Sequence, residues 1–329
     1  MKKLVLYFFL AILLIFCLPI IFTNPFESEE VISKEIVEQN VIVEEKFDYG
    51  EYNNIRLLHV TSGEVEILDL DTYLYGVVSG EMPASYDIEA LKAQSIVART
   101  YTIFKMKNGS KHENADMCDD SKCCQAWIDK ENRMARWEED KREEYWNKIV
   151  ISVNQTKGKV ALYEGQPINA FFHSNSGGKT ELPINVWGGA YPYLQVVATT
   201  GEDAYSTYNS EVQLSKDELI QKMLEKNSNF EIDFNDVECI KIIEYTEGER
   251  VKKMKIGNTE ISGVEARIIF GLKSAKFKLE VIKDTITFNV IGYGHGVGLS
   301  QSGSDALAKQ GKNYEEIIKY YYKDVEISE

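Results

Sequence analysis

GEMP at residues 80–83 and LKAQSIVARTY at residues 91–101 are the stretches that decide the fold. Because Pro83 disfavours helical geometry in the residue before it, Glu81 is predicted to lie at a break in the chain. Gly80 has no side chain, so we expect space beside the Glu81 carboxyl group for a bulky ligand. A carboxyl group in such a place is a candidate site residue.

The run at residues 91–101 has the spacing of a helix with two faces. Its small and apolar residues recur every three or four positions and are predicted to pack inward. Lys92 and Arg99 are seven residues apart, which is nearly two helical turns, so both are expected on one outward face. An acid close to two cations indicates a ligand site.

The composition narrows the class of partner. The chain has 329 residues, enough for one elaborate domain or two fused ones, and a net charge of −15. Such an acidic balance argues against nucleic acid, which requires a basic surface. It also argues against loose adhesion to anionic lipid or wall polymer, so an anionic ligand would need local cations such as Lys92 and Arg99.

Residues 1–24 are predicted to form a transmembrane anchor. Two lysines precede twenty uncharged residues, 4–23, which suffice to cross a bilayer of about 30 Å. A cleavable signal peptide is the alternative, although no small-residue cleavage motif follows. The lysines are expected to stay inside, so the rest of the chain is expected outside the cytoplasm. Residues 25–47 are rich in glutamate and are interpreted as an acidic linker, or in part as an early strand.

Residues 48–329 are predicted to form one extracytoplasmic catalytic domain of the α+β class. Mixed helices and antiparallel strands are expected around an active-site cleft. Strands are predicted at 55–60, 65–70, 252–256 and 285–291, with a hairpin of strands 159–163 and 168–172 turning at Glu164 and Gly165. Helices are predicted at 71–79, 91–101, 130–147, 215–226, 302–309 and 314–322.

A cluster of histidine and cysteine occupies thirteen residues, from His112 to Cys124. A disulfide is one interpretation, because an extracytoplasmic location permits it, with Cys239 available for a leftover thiol. A metal site is favoured, since nitrogen and sulfur ligands suit zinc. His112, Cys118 and Cys124 follow one another at six-residue intervals and are the predicted ligands, with Cys123 as the alternative to Cys124.

Two polar motifs occur later in the chain. HSNSGG at residues 173–178 puts His173, Ser174 and Ser176 on a turn suited to sugar hydroxyls, although an ordinary hairpin exit is the alternative. A Ser–His dyad is disfavoured, because adjacent residues of a strand point to opposite faces. GYGHGVGLSQ at residues 292–301 is not a dinucleotide-binding loop, because too little chain follows it. His295 is predicted to be an exposed imidazole available for hydrogen bonding.

Four blocks of sequence resemble one family in order. The blocks at residues 73–83, 90–101, 168–178 and 292–301 are similar to those of the stage II sporulation protein D family, membrane-anchored enzymes of spore-forming bacteria. The resemblance implies a lytic transglycosylase that cuts peptidoglycan glycan strands between N-acetylmuramic acid and N-acetylglucosamine. Glu81 matches the catalytic glutamate of the family. The matches to basic and substrate-binding positions are Lys92, Arg99, His173, Ser174, Ser176, His295 and Gln301.

The same resemblance carries expectations about cofactor, partners and location. Clostridial members are similar in having a His/Cys metal site, which implies a structural zinc ion at His112, Cys118 and Cys124. It implies a glycan stripped of stem peptides, and a complex with a cell-wall amidase and a multi-pass membrane protein. The implied location is the septal or engulfing membrane of a sporulating cell, where the wall is remodelled.

The expected chemistry needs a single carboxyl group. Ordinary glycosidases use two, and neither Asp87 nor Glu89 is an obvious partner for Glu81. A transglycosylase lets the C6 hydroxyl of the sugar attack C1 and gives a 1,6-anhydro ring, with Glu81 as acid and then base. This role requires a raised pKa, which burial favours and nearby cations oppose. The alternatives are ordinary hydrolysis, a zinc-dependent wall amidase or peptidase, and a non-catalytic wall-binding scaffold.

Overall fold

The computed structural model describes residues 47–328. The predicted anchor at residues 1–24 and nearly all of the linker at 25–47 therefore lie outside the described residues. Within residues 47–328, no helix is both long enough and apolar enough to span a bilayer.

Eight α-helices are found between residues 47 and 328. They are α1 (Leu70–Glu81), α2 (Ile88–Asn108), α3 (Lys130–Ala135), α4 (Arg142–Asn154), α5 (Lys216–Lys226), α6 (Gly263–Phe270), α7 (Gln301–Lys309) and α8 (Tyr314–Tyr321). Short 3-10 turns occur at Gly50–Tyr52, Glu139–Lys141, Pro183–Asn185 and Glu202–Ala204. Side chains accept hydrogen bonds from backbone N–H groups at several helix starts, such as Asp69 before α1 and Ser215 before α5.

The strands are short and form small sheets. They are β1 (Asn54–Leu58), β2 (Val65–Asp69), β3 (Met117–Cys118), β4 (Ala161–Tyr163), β5 (Gln166–Pro167), β6 (Phe172–His173), β7 (Asn209–Ser215), β8 (Ile240–Tyr245), β9 (Val251–Ile256), β10 (Thr259–Ile261), β11 (Phe277–Ile282), β12 (Thr285–Ile291), β13 (Leu299–Ser300) and β14 (Glu326–Ile327). The sheet orders are β2-β1-β3, β10-β9-β8, β11-β12-β7 and β14-β4-β5, with β13 paired to β6. The pairs β1–β3 and β6–β13 are parallel and the others antiparallel. The predicted mixed α+β class with antiparallel sheets is confirmed.

Helix α2 is the centre of the larger hydrophobic core. Ala90, Leu91 and every residue from Ala93 to Ile103 are buried, so the helix is enclosed on all sides rather than two-faced as predicted. Helices α1, α4, α7 and α8 pack against it. The hydroxyl groups of Ser95, Thr100 and Thr102 bond to carbonyl groups one turn earlier, 2.7–2.8 Å away, which satisfies them inside the core.

Arg99 lies inside this core, which corrects the expectation of an outward cation. Its side chain is 1% exposed, and its guanidinium donates to the carbonyl of Thr156 at 2.8 Å and of Lys159 at 3.3 Å. It also pairs with Asp71 at 3.4 Å. The two carbonyl groups lie just beyond the end of α4, so Arg99 joins α2 to the segment that follows α4. Burial leaves this guanidinium no surface for a ligand.

A second hydrophobic core forms between residues 209 and 291. Strands β7 to β12 and helices α5 and α6 surround it, with Phe270 and Phe288 stacked at 4.9 Å in its centre. This segment comes after the HSNSGG motif and before the GYGHGVGLSQ motif. The two motifs are therefore far apart in sequence, and any contact between them joins the two ends of this segment.

The local predictions differ in accuracy. The hairpin turn is confirmed, because Glu164 and Gly165 both adopt positive φ, 50° and 71°, between β4 and β5. The single helix predicted at 130–147 is wrong. The chain is extended at Glu138, with a φ of −57° and a ψ of 138°, so α3 and α4 are separate helices. The ring of Trp137 packs on Tyr145 at 5.6 Å, which turns α4 back towards α3.

Replacing Arg99 by methionine is expected to destabilise the fold. The change removes the guanidinium that bonds to the carbonyl groups of Thr156 and Lys159 and pairs with Asp71, for which we expect a loss of about 3 kcal/mol in the free energy of unfolding. Urea denaturation followed by circular dichroism measures it. Arg136→Met, at an exposed position, is the matched control and should change little. Equal stability of the two variants would contradict the assignment.

Candidate active site

Glu81 is the last residue of α1, as its position before Pro83 predicts. The backbone N–H of Met82 closes the helix on the carbonyl of Val78, and Met82 is extended, with a φ of −121° and a ψ of 139°. The side chain of Glu81 is partly buried at this end of the helix. A negative charge at a helix C-terminus is unfavourable, so the position itself disfavours ionisation.

The surroundings of the Glu81 carboxyl group raise its pKa to about 7, chiefly through burial. The backbone N–H of Ala126, 2.6 Å from Oε1, and the side chain of Gln301 oppose this rise. Within the described residues, no charged side chain contributes to the shift. The group can therefore exist in both protonation states near neutral pH, as a general acid and base must.

Two glycines of α1 admit the loop that follows the cysteines. A side chain on Gly76 would overlap the indole of Trp127, and one on Gly80 would lie 3.2 Å from the carbonyl oxygen of Ala126. Gly80 thus makes room for the protein's own backbone, which corrects the expectation of space for a ligand. Gly76 is a signal that sequence reasoning missed, because a glycine inside a helix usually marks a close contact.

His112, Cys118, Cys123 and Cys124 form one cluster, with ligand atoms all within 4.8 Å of one another. The Nε2 atom of His112 is 3.7 Å from the sulfur of Cys123 and 3.6 Å from that of Cys124, and the two sulfurs are 4.0 Å apart. Tetrahedral zinc gives separations of ~3.6 Å between nitrogen and sulfur and ~3.8 Å between sulfurs. The donor set therefore fits zinc, with both Cys123 and Cys124 close enough to bind.

The surroundings of the cluster disfavour thiolate formation when no cation is bound. Burial raises the pKa of Cys118 to about 12, and burial also raises the pKa of Cys124. Thiols in such a place stay protonated unless a metal ion compensates their charge. The four cysteines in the described residues are free thiols, so the disulfide interpretation is not what this structure shows.

The cysteine cluster leads directly to Glu81. Gln125 follows Cys124, is buried, and donates from its amide to the hydroxyl groups of Tyr73, at 3.3 Å, and Thr102, at 3.0 Å. Ala126 comes next and donates to Glu81. The cluster is thus two residues from the amide that holds the carboxyl group.

Strands β6 and β13 bring the two polar motifs together. His173 pairs in register with Ser300, and the N–H of Ser302 donates to the carbonyl of Ser174 at 2.9 Å. Gln301 lies between these contacts; its side chain lowers the pKa of Glu81, although its Nε2 atom has no hydrogen-bond partner in the described residues. Ser174 is partly exposed at this junction. Residues from both motifs and from α1 therefore lie close together in the structure.

His173 is buried and neutral. Its Nδ1 atom lies 3.2 Å from the carbonyl of Val297, so this nitrogen carries the proton and Nε2 faces inward without a partner in the described residues. Burial, together with the charge of Arg250, lowers its pKa to about 3. Its role in this state is hydrogen bonding and not proton transfer.

His295 is only partly exposed, less than predicted, and lies among aromatic rings. Its ring is 5.6 Å from His173 and 4.8 Å from Trp187. The N–H of Val297 donates to Nδ1 at 3.0 Å, which leaves the proton on Nε2. Burial lowers its pKa, and the charges of Arg267 and Arg250 add to the effect. It is a neutral donor next to an aromatic surface.

Glu202 organises the HSNSGG turn, and sequence reasoning missed it. It is 1% exposed and accepts from the N–H groups of Ser176, at 3.1 Å, and Gly178, at 2.9 Å. The hydroxyl groups of Ser176, Thr199 and Ser300 also donate to it. The predicted ligand contact of Ser176 is therefore corrected, because this side chain is buried against Glu202. In the sequence Glu202 stands beside another acid and has the appearance of an ordinary surface turn.

Lys92, Asp87 and Glu89 form their polar contacts with residues other than Glu81. Lys92 pairs with Glu89 at 2.7 Å, and Glu89 accepts from the N–H of Tyr314 at 2.9 Å. Asp87 caps α2 through the N–H of Glu89. The expected gathering of Lys92 with Glu81 is not observed, and neither acid acts as a second carboxylate there.

Comparison with known proteins places the chain in a family. A family model described as stage II sporulation protein matches residues 59–163. The chain is 34% identical over 278 residues to stage II sporulation protein D of Bacillus subtilis (strain 168), covering 84% of this chain and 79% of that protein. The protein of the same name from Bacillus amyloliquefaciens is 33% identical with the same coverage. An amidase enhancer of B. subtilis (strain 168) is 29% identical over 76% of this chain and 39% of that protein.

The chain therefore belongs to the stage II sporulation protein D family, and the resemblance seen in the four sequence blocks is confirmed.

The raised pKa of Glu81 predicts a pH-dependent stability. A carboxyl group with a folded-state pKa of about 7 and an ordinary unfolded value of 4.5 favours folding while protonated. Its contribution is complete below about pH 4.5 and is lost as pH rises through about 7. Glu81→Gln, which stays neutral, should be more stable than the wild type at pH 8 by on the order of 2 kcal/mol, and similar to it at pH 4.5. Urea titrations at the two pH values test this. The same difference at both would contradict it.

Proposed function

We propose that this protein is a lytic transglycosylase of peptidoglycan glycan strands, with Glu81 as its general acid and base. The observation that carries the proposal is a single carboxyl group with a pKa of about 7, at the meeting point of the family's sequence blocks. The proposed bond is that between N-acetylmuramic acid and N-acetylglucosamine. The site residues proposed to contact substrate are Ser174, His295 and Gln301.

In the first proposed step, protonated Glu81 donates its proton to the glycosidic oxygen. The bond from C1 to that oxygen then breaks, and the leaving sugar departs with a hydroxyl group. The burial that raises the pKa of Glu81 also keeps the proton available near neutral pH. The amide of Ala126 fixes one carboxyl oxygen, so the other is oriented for the transfer.

In the second proposed step, the carboxylate of Glu81 takes the proton of the C6 hydroxyl group of the remaining sugar. The C6 oxygen attacks C1 and closes a 1,6-anhydro ring, and Glu81 returns to its protonated state. The nucleophile belongs to the substrate, so no second carboxylate is needed. The engagement of Asp87 and Glu89 elsewhere supports this scheme over two-carboxylate hydrolysis.

A zinc ion at His112, Cys118, Cys123 and Cys124 is proposed to be structural. Zinc supplies a fixed tetrahedral centre that orders the loop when bound. Four protein ligands leave no open position for water or substrate, which argues against the alternative of a zinc-dependent amidase or peptidase. The loop that carries these four ligands holds the amide of Ala126 against Glu81.

The cellular setting follows from the relatives. Proteins named for stage II of sporulation and for amidase enhancement support a role in remodelling the wall of a sporulating cell. We propose a membrane-anchored location outside the cytoplasm, with residues 1–24 as the anchor. An amidase and a multi-pass membrane protein are the proposed partners, and glycan stripped of stem peptides the proposed substrate.

Glu81→Gln is expected to lower the rate of glycan cleavage by ~10³-fold, because it removes the proton donor while keeping shape. Mass spectrometry of products from purified glycan strands should show 1,6-anhydro termini, which are lighter by one water than the reducing ends that hydrolysis gives. The wild-type kcat/KM should fall as pH rises through about 7. Hydrolysis products would overturn the lyase assignment, and unchanged cleavage by the variant would overturn the role of Glu81.

Removing the metal is expected to affect folding and activity together. The purified protein should contain one zinc per chain by elemental analysis, and chelation or Cys118→Ser should lower the melting temperature by roughly 10 °C. Cys239→Ser, in the second core, is the matched cysteine control and should keep its zinc. Loss of activity with unchanged melting would favour a catalytic metal instead.

A further inference from the structure

We propose that the surface beside His295 is a subsite for an acidic sugar, with the ring of Trp187 as its platform and the guanidinium of Arg267 as its carboxylate partner. This inference rests on the proposed function for its substrate class. It assigns a specificity role to two residues outside the four family blocks.

The first observation is the exposure of Trp187. Its side chain is 50% exposed, although tryptophan carries the largest apolar surface of any residue. The ring packs against Phe171 at 4.6 Å and His295 at 4.8 Å, and the backbone N–H of Trp187 donates to the carbonyl of Pro183 at 2.9 Å, which holds the residue at the end of a 3-10 turn. A held aromatic ring with a free face suits the apolar C–H face of a pyranose ring.

The aromatic surface extends beyond Trp187. Phe171 lies 6.3 Å from His295 and 6.1 Å from Tyr101, which is buried beneath it on α2. The rings of Phe171, Trp187 and His295 therefore form one aromatic surface. His295 is among the residues proposed to contact substrate, so Trp187 is placed to hold a sugar unit next to it.

The second observation is a cation without a partner. Arg267, on α6, lines a small cavity together with His295, Asn185 and Val186, the last two being close neighbours of Trp187 in sequence. In the described residues it forms no ion pair and no hydrogen bond, although it is partly buried. A cation withdrawn from water without a counter-charge is unfavourable, and in a chain of net charge −15 it stands out.

The neighbouring charges do not neutralise Arg267. Arg250 lines the same cavity but donates to the carbonyl groups of Ser176, Lys179 and Gly248. Glu181 also lines the cavity, and its oxygens accept from the N–H of Leu182, the amide of Asn185 and the hydroxyl of Thr246. Arg267 is thus the free donor at the cavity.

The ligand chemistry follows from these two groups. A guanidinium binds a carboxylate with two parallel hydrogen bonds, and an aromatic face binds a sugar ring. N-acetylmuramic acid combines both features when its lactyl carboxylate is free. An amide-linked stem peptide removes that charge, so the subsite should prefer stripped units.

Binding to three tetrasaccharides tests the proposal in the Glu81→Gln protein, which keeps the ligands intact. The probes are the neutral N-acetylglucosamine tetramer, the alternating tetramer with free muramic carboxylates, and that same tetramer with stem peptides attached. Quenching of tryptophan fluorescence reports occupancy of the platform. We expect the free-carboxylate tetramer to bind about tenfold more tightly than the other two, as one charged pair implies.

The variants separate the two groups. Arg267→Gln should reduce the affinity for the free-carboxylate tetramer to that for the neutral one, and Arg267→Lys should keep part of the preference. Trp187→Ala should weaken all three ligands and abolish the quenching, while Trp187→Phe should keep most of the affinity. Ile268→Ala, an exposed neighbour on α6, and Arg136→Gln are controls expected to leave binding unchanged. Melting curves verify that each variant is folded.

The outcomes distinguish this subsite from the catalytic proposal. Equal affinity for the three tetramers overturns the subsite. A preference that is lost in Lys105→Ala, beside Tyr101, and kept in Arg267→Gln also overturns it. If the wild type yields anhydro products while Arg267→Gln binds normally, the subsite alone fails. If a preference requiring Arg267 is found in a protein that cleaves no glycan, the catalytic proposal fails and the subsite stands.

Discussion

The enclosure of α2 on all sides is the constraint on which the rest of the structure depends. A helix with buried residues around its whole circumference must have neighbours in every direction, and here these are α1, α4, α7 and α8. Two of those neighbours carry the site, since α1 ends at Glu81 and α7 begins at Gln301. Arg99 is the polar tie of this arrangement, because its guanidinium bonds to carbonyl groups just beyond the end of α4. The geometry around Glu81 is therefore a property of helix packing around one buried helix.

Two separate polar devices then adjust the site from opposite directions. On one side the cysteine cluster lies two residues before Ala126, whose backbone N–H donates to Glu81. On the other side the carboxylate of Glu202 gathers donors from both polar motifs, including Ser176 and Ser300. Neither device touches a substrate group in the proposed mechanism. Each shows how a site with a poorly solvated carboxyl group can be held in place by contacts that do not favour ionisation of that group.

Short-range features were predictable from the sequence, and long-range partners were not. The end of α1 at Glu81, the hairpin turn at Glu164 and the start of α5 follow from proline, turn and capping chemistry within a few residues. The inward position of Arg99 did not, because its acceptors lie more than fifty residues further along the chain. The spacing of Lys92 and Arg99 predicts that both lie on one outward face of the helix. Only the packing of α4 against that face shows that Arg99 is buried. The same applies to Glu202, whose partners come from three separate segments.

The pairing of β6 with β13 has a consequence for how the protein is made. His173 contacts Val297 across a sequence separation of 124 residues, with the whole second core lying between them. Contacts between residues so far apart in sequence form late, because the intervening chain must first become compact. A nascent chain can therefore form the helical turns of α1 and α2 before Gln301 has been synthesised, but until then α2 lacks two of its four neighbours, α7 and α8. The surroundings of Glu81 are therefore completed only when the C-terminal segment of the chain folds against helices made about two hundred residues earlier.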